Sequence, residues 1–285
     1  MRKITFILAI GIVFLIHACN SKKQQPGEGS SSSTESNYFG LKAPGMEAEP
    51  LVSDSFMMEG WKLGGIHSTG MDEFYLISTK DVPFRPLVVS FHKENRVWKK
   101  YDFHPNGSDI MYAKDQYIER TPTGWSALKS LGAPFDTIRI MRLTASSSGT
   151  LVFDEVGRNG DGILRYSRLV NGKREAPQPL GKEINTGKWT AHPFIARDES
   201  YIIWDSERPG GYGDSDMYIS FKQEDGSWGP AINFGDQINT EEEDGGGYVT
   251  PDGKFLSFCP RCEPPYRRKW VDAKIIEDLR NKQAD

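Results

Sequence analysis

One phrase occurs three times, nearly in step, and constrains this chain more than any other feature. The copies are Leu131-Gly132-x-x-Phe135-Asp136-Thr137, Leu180-Gly181-x-x-Ile184-Asn185-Thr186 and Phe234-Gly235-x-x-Ile238-Asn239-Thr240. They begin at 131, 180 and 234, so the intervals are 49 and then 54 residues. A period of that size, built from short β-type runs and turn residues, belongs to repeat arrays such as propellers. A single repeat cannot bury its own apolar face, so its neighbours must complete each core.

A second phrase, a turn followed by a β-branched and aromatic run, recurs in the same order. It stands at Thr69-Gly70, Asn106-Gly107, Ser148-Gly149, Asp198-Glu199-Ser200 and Pro251-Asp252-Gly253, and its runs end on Tyr75, Tyr112, Phe153, Trp204 and Phe258. Asn-Gly and Pro-Asp-Gly between apolar runs are strong turn signals. Further strands such as Asp216–Ser220, and a Gly-x-Trp run at Gly226-Ser227-Trp228, bring each unit to about four strands, the content of one propeller blade. Aromatics at 12 %, with 29 glycines and 17 prolines, suit many short strands joined by turns. The expectation is an all-β chain, a single β-propeller of five four-stranded blades. Residues 40–56 lack the turn-strand phrase and are expected to lend an outer strand to the last blade. The stripe Val271, Ile275 and Leu279 predicts a short C-terminal helix packed on the rim.

The run His192-Pro193-Phe194-Ile195, Asp205-Ser206-Glu207-Arg208-Pro209-Gly210-Gly211-Tyr212-Gly213 and Asp216-Met217-Tyr218 resembles the WD-repeat-like propellers of TolB type. Gly226-Ser227-Trp228-Gly229-Pro230, Asn239-Thr240 and Thr250-Pro251-Asp252-Gly253 continue that pattern. The likeness is close over 189–258, recognisable over 131–186 and faint over 38–130. That family also includes six-bladed members, which leaves six blades as the alternative. Fold of this kind does not dictate activity.

At the other end, Met1-Arg2-Lys3 is a basic start followed by the apolar run Ile4–Ile16. Thirteen residues fall short of the ~20 that span a bilayer as a helix, so a cleaved leader is the reading. Ile16-His17-Ala18-Cys19 resembles the lipobox of bacterial lipoproteins, although His17 replaces the small residue usual there. That resemblance implies a signal peptide over 1–18 and lipidation at Cys19. With Asn20 rather than an aspartate following, it also implies the outer membrane, facing the periplasm or the surface. An ordinary secretory leader with an incidental cysteine is the alternative. Residues 19–37, without an apolar residue after Cys19, form a flexible tether; 38–270 is the propeller and 271–285 the helical tail.

Candidate chemistry is sparse. A net charge of −4 without basic clusters argues against nucleic acid as a partner. Cys259 and Cys262 form a lone Cys-Pro-Arg-Cys, which could be a small disulfide or two thiols in a turn. It supplies only two of the four ligands of a structural zinc, and no helix opens there for a redox motif. Asp205, Glu207, Asp214 and Asp216 cluster in what reads as one interstrand loop, where such residues cap backbone amides more often than they catalyse. Arg158, Arg208 and Arg261 follow their strand-ending aromatics at comparable places and suit bridges between neighbouring blades, with ligand binding as the second role.

Counting back seven positions from the turn residues reaches Leu63, Lys100, Arg142 and His192. If these open the innermost strands, Lys100, Arg142 and His192 put positive groups at one mouth of the channel, and with Arg208 they are the candidate ligand or partner residues. No nucleophile elbow, zinc-protease helix or phosphate loop appears, so no catalytic residue, metal or cofactor is assigned. The expected function is a non-catalytic envelope lipoprotein, held to the membrane through its lipid alone, whose propeller binds an envelope protein or glycan. The rival is a glycan-acting hydrolase with carboxylates in the channel.

Overall fold

The computed structural model describes residues 43–51, 61–67, 73–78, 88–94, 97–101, 110–121, 124–127, 129–250, 252–260 and 268–284. The leader, Cys19, the tether to residue 37 and Cys262 lie outside the described residues. All the described elements belong to one compact unit, Thr34–Asp285.

Strand β1 (Glu49–Pro50) opens the described chain and is paired last. The first sheet runs β2 (Trp61–His67), β3 (Glu73–Ser78), β4 (Val88–Glu94) and β5 (Val97–Tyr101), each antiparallel to the one before. The second holds β6 (Ile110–Ala113), β7 (Gln116–Thr121) and β8 (Gly124–Trp125), with β9 (Lys129–Ser130) also on β7. The third takes β10 (Leu143–Ala145), β11 (Leu151–Glu155) and β12 (Ile163–Ser167). The hairpin β13 (Leu169–Val170) and β14 (Lys173–Arg174) then projects before β15 (Gln178–Pro179) completes that sheet. The fourth is β16 (Lys188–Ile195), β17 (Tyr201–Glu207), β18 (Asp216–Phe221) and β19 (Ile232–Asn233).

The fifth sheet has β20 (Asp244–Val249), β21 (Phe255–Pro260) and β22 (Lys269–Asp272), and its fourth strand is β1. Glu49 pairs with Trp270 and Pro50 with Lys269, and the Leu51 amide reaches the Arg268 carbonyl at 3.0 Å. An N-terminal strand thus completes the last blade, which removes an open edge. Among the described residues five such antiparallel sheets follow one another along the chain, and the fold is an all-β propeller. The helix α1 (Lys274–Ala284) follows.

Alternation along the strands shows how neighbouring sheets share cores. In β11, Leu151 and Phe153 pack with Phe135, Ile140 and Leu143, on the side of Tyr112 in the second sheet. Val152 between them turns the other way, joining Leu164, Ile184, Ile202 and Trp204 of the third and fourth sheets. In β18, Met217, Ile219 and Phe221 meet Val249, Leu256 and Phe258 of the fifth sheet, while Tyr218 faces back toward the third. Side chains of period two, buried on both faces, are what stacked sheets require.

The threefold phrase is the connection from one sheet's outer strand to the next sheet's inner one. In every copy the amide of the sixth residue bonds the glycine carbonyl: Asp136 to Gly132 at 3.3 Å, Asn185 to Gly181 at 2.9 Å and Asn239 to Gly235 at 2.9 Å. The apolar residue before it, Phe135, Ile184 or Ile238, is buried. The turn phrase also repeats in geometry, with Gly149, Glu199 and Gly253 each donating to a carbonyl three residues back.

The tail departs from expectation at one end. Val271 is a fully buried β22 residue paired with Leu256, and the helix begins only at Lys274, whose amide is capped by Asp272 Oδ1 at 2.9 Å. The ladder claims Val271 before the helical period starts. Ile275, Ile276 and Leu279 then enter the core shared by the fourth and fifth sheets. Among the described residues no helix is long and apolar enough to cross a membrane.

Candidate functional site

The inner strands carry the irregular geometry. Register shifts fall in β2 between Leu63 and His67, in β16 around Ala191, and in β20 between Gly245 and Tyr248. In β16 the bulge places Trp189 at φ 50° and His192 at φ 47°; in β20 Gly246 stands at φ 62°. Bulges bend a strand and re-aim its side chains, and they gather beside functional sites.

Two buried aspartates hold these bulges, each directly after the strand aromatic. Asp154 follows Phe153 on β11, and its Oδ1 accepts the amides of Met141 at 2.7 Å and Arg142 at 2.8 Å. Its Oδ2 accepts the His192 amide of the next sheet at 3.1 Å. Asp205 follows Trp204 on β17, accepts the Gly246 amide of the fifth sheet at 2.9 Å, and lies 2.9 Å from His192 Nδ1. Each carboxylate therefore ties its own inner strand to the next. Gly245 is required here, since a Cβ on it would stand 2.7 Å from the Asp205 carboxyl carbon.

Four side chains were candidates from sequence, and they have different fates. Arg142 and His192 do come together. Arg142 gives its guanidinium to the Gly247 carbonyl at 3.1 Å, and Arg268 reaches the Gly246 carbonyl at 2.7 Å while lying over the Tyr248 ring. Burial, reinforced by Arg268, lowers the Arg142 pKa to about 10, which leaves it charged at neutral pH. The His192 pKa is raised, chiefly by the charge of Asp205 against an opposing burial. Among the described residues the His192 ring bonds Asp205 alone.

Lys100 lies on β5, the edge strand of the first sheet and not its inner one, and pairs with Phe91. In the second sheet the turn phrase precedes β6 instead of separating two described strands, so counting back lands in the preceding sheet. Arg208 bridges sheets: its Nη2 donates to the Glu183 carbonyl at 3.1 Å and to that of Ile184, and its guanidinium covers the Trp204 and Tyr218 rings. Cys259 is buried at the end of β21; Cys262 lies outside the described residues, so their pairing is not placed.

The carboxylates also separate. Asp205 and Glu207 are on β17 and Asp216 is on β18, not in one loop. Asp216 caps the 208–215 loop, accepting the Tyr212 amide at 2.7 Å and the Asn233 side chain at 2.8 Å.

Beside the His192–Asp205 pair opens a pocket of about 400 Å³. Three sheets build it: Met141, Gly157, Gly160 and Gly162 from the third, Trp189, His192, Asp205, Glu207 and Asp214 from the fourth, and Glu243 from the approach to the fifth. Trp189 is 51 % exposed, an unusual state for so large an apolar ring. Its ring lies against Gly160, where a Cβ would come within 2.8 Å, and its amide donates to the Gly160 carbonyl at 2.8 Å. Gly160 itself has φ 75°, so the glycine is needed twice over. Among the described residues no three His, Cys, Asp or Glu side chains are placed to hold a metal ion.

Sequence reasoning missed Trp189, Met141 and Glu243. The available signal was a tryptophan in the polar run Gly187-Lys188-Trp189-Thr190, outside both repeated phrases, where no core position calls for one.

No family model matches the chain, and no curated protein matches it in sequence. Among solved structures it is similar to TolB from Acinetobacter baumannii, at 13 % identity and a TM-score of 0.40, over 72 % of this chain and 52 % of that one. It is similar to an endo-arabinase from Bacteroides thetaiotaomicron, at 15 % identity and a TM-score of 0.45, over 81 % of this chain and 97 % of that one. Puromycin hydrolase is a third, at 14 % identity and a TM-score of 0.38, over 80 % and 38 % of the two chains. The chain spans about half the length of the TolB structure. These are distant likenesses to β-propeller proteins.

Proposed function

We propose that this chain is a lipid-tethered envelope protein of TolB-like type, whose propeller binds a protein or glycan partner without altering it chemically. The leader, with its lipobox-like end at Cys19, supports the tether and an outer-membrane location. One observation carries the binding role. A pocket built by three sheets holds an exposed tryptophan, while Arg142, His192 and Asp205 beside it are engaged in fastening sheet to sheet. Groups fixed in that way hold a surface rigid, and a preformed concave surface lowers the cost of binding.

The anionic ligand suggested by Lys100, Arg142 and His192 is withdrawn from this reading. Lys100 is on another sheet edge, and the other two are neutralised or bonded by their neighbours. A glycan-acting hydrolase stays as the second reading, because Glu207 and Asp214 of the fourth sheet share the pocket with Glu243 from the approach to the fifth. Carboxylates on opposite sides of a bound sugar are what such chemistry requires.

The test is titration of the purified chain in detergent against envelope glycans and peptides, with the bound material analysed for cleavage. Binding that Trp189→Ala weakens, with the ligand recovered intact, supports the proposal. Cleavage that Glu207→Gln or Asp214→Asn abolishes replaces it with the hydrolase.

A further inference from the structure

We infer that the Trp189 pocket takes an organic cation, the ammonium or guanidinium of a basic side chain on a protein partner. This rests on the binding role proposed above and narrows its ligand.

Two kinds of surface meet there. Trp189 offers a half-exposed indole, locked by Gly160 behind it and by its own left-handed backbone. An indole face attracts cations more strongly than any other aromatic side chain. Around it stand Glu207 and Asp214, both exposed, while Asp205 at the base is already matched by His192. Among the described residues no Lys or Arg lines the cavity; Arg158 and Lys188 are near in sequence but do not contribute to its wall. The exposed charges on its wall are therefore acidic, in a concave site that concentrates their field.

Size and shape favour an organic group over a metal ion. The described His, Cys, Asp and Glu side chains are not grouped to coordinate a metal ion, whereas about 400 Å³ accommodates a side chain with its charged head. Met141, 45 % exposed on the same wall, gives the aliphatic stem an apolar contact. A lysine or arginine combines an apolar stem with a cationic tip in that order.

The experiment uses the full chain in detergent, titrated calorimetrically with the N-acetyl amides of arginine and lysine. The N-acetyl amide of citrulline, which keeps the shape of arginine without its charge, and a chitin trisaccharide are the comparisons. The basic probes are expected to bind in the millimolar range or tighter, and to weaken as salt screens the carboxylates. Trp189→Ala is expected to weaken them by about tenfold, with Trp189→Phe intermediate; Glu207→Gln combined with Asp214→Asn should do the same. Circular dichroism confirms that each variant is folded.

Equal binding of citrulline, or binding of the basic probes unaffected by Trp189→Ala, overturns the inference. So does absence of binding by the basic probes at about 10 mM. Trp189-dependent binding of the trisaccharide in their place would overturn the cation while leaving the binding role intact.

Discussion

His192 adopts φ 47°, a conformation that is disfavoured for a residue with a Cβ and costs about 1 kcal/mol or more. Its amide on Asp154 and its ring on Asp205 hold it there, and both carboxylates are buried. The pair has a pH signature. Because the charge of Asp205 raises the folded-state pKa of His192 above its unfolded value, the protonated ring stabilises the fold. That contribution is complete below about pH 6.5 and disappears as pH rises through the folded value. The thermal midpoint of the parent protein should therefore fall over that interval. In His192→Asn, which tolerates the left-handed backbone, the fall should be absent. A midpoint measured across pH 6 to 9 that moves identically in both proteins would contradict the pairing.

Elements repeat more faithfully in backbone than in side chain. In two copies of the threefold phrase the sixth residue is asparagine, and its amide clamps the third strand of the sheet. Asn185 holds both backbone groups of Leu164, at 2.7 and 2.9 Å. Asn239 does so for Met217, at 2.8 and 3.1 Å. An aspartate cannot donate to a carbonyl, and in the remaining copy, the first along the chain, Asp136 is exposed.

Hence Asn239→Asp should cost about 2 to 4 kcal/mol, by losing donors and burying a charge against a carbonyl. Asp136→Asn should stay within about 0.5 kcal/mol of the parent. Urea titration of the two variants checks both values. This is also the scale at which the sequence was most legible. Glycine, the buried apolar residue and Asn or Asp recur because one turn recurs, so strand number and order could be read from them. The bulges could not, since neither His192 nor Trp189 has a side chain that announces a left-handed backbone. The pocket was missed for the same reason: Glu243 and Met141 reach it from other sheets through pairings that no local pattern encodes.

For the whole molecule, stability depends on neighbouring sheets completing each other's cores, and the last sheet depends on β1. Leu51 is 2 % exposed, so the segment brings an apolar anchor as well as a strand. Replacing residues 49–51 with a Gly-Ser stretch should lower stability by about 3 kcal/mol, the cost of one buried leucine and a few ladder bonds. It should also unprotect β22 first in hydrogen exchange. Protection of β22 that survived the replacement would argue that the fifth sheet does not need its N-terminal strand.

Recognition is assigned to the place where the bulged inner strands of the third, fourth and fifth sheets meet. A photoreactive phenylalanine at position 141 in the intact cell, where it lines the pocket and leaves Trp189 in place, against one at Val170 on the projecting β13–β14 hairpin, tests that most directly. Both positions are 45 % exposed, so accessibility does not separate them. A discrete crosslinked product is expected from position 141 and none from 170. A product from 170 with nothing at 141 would contradict the assignment.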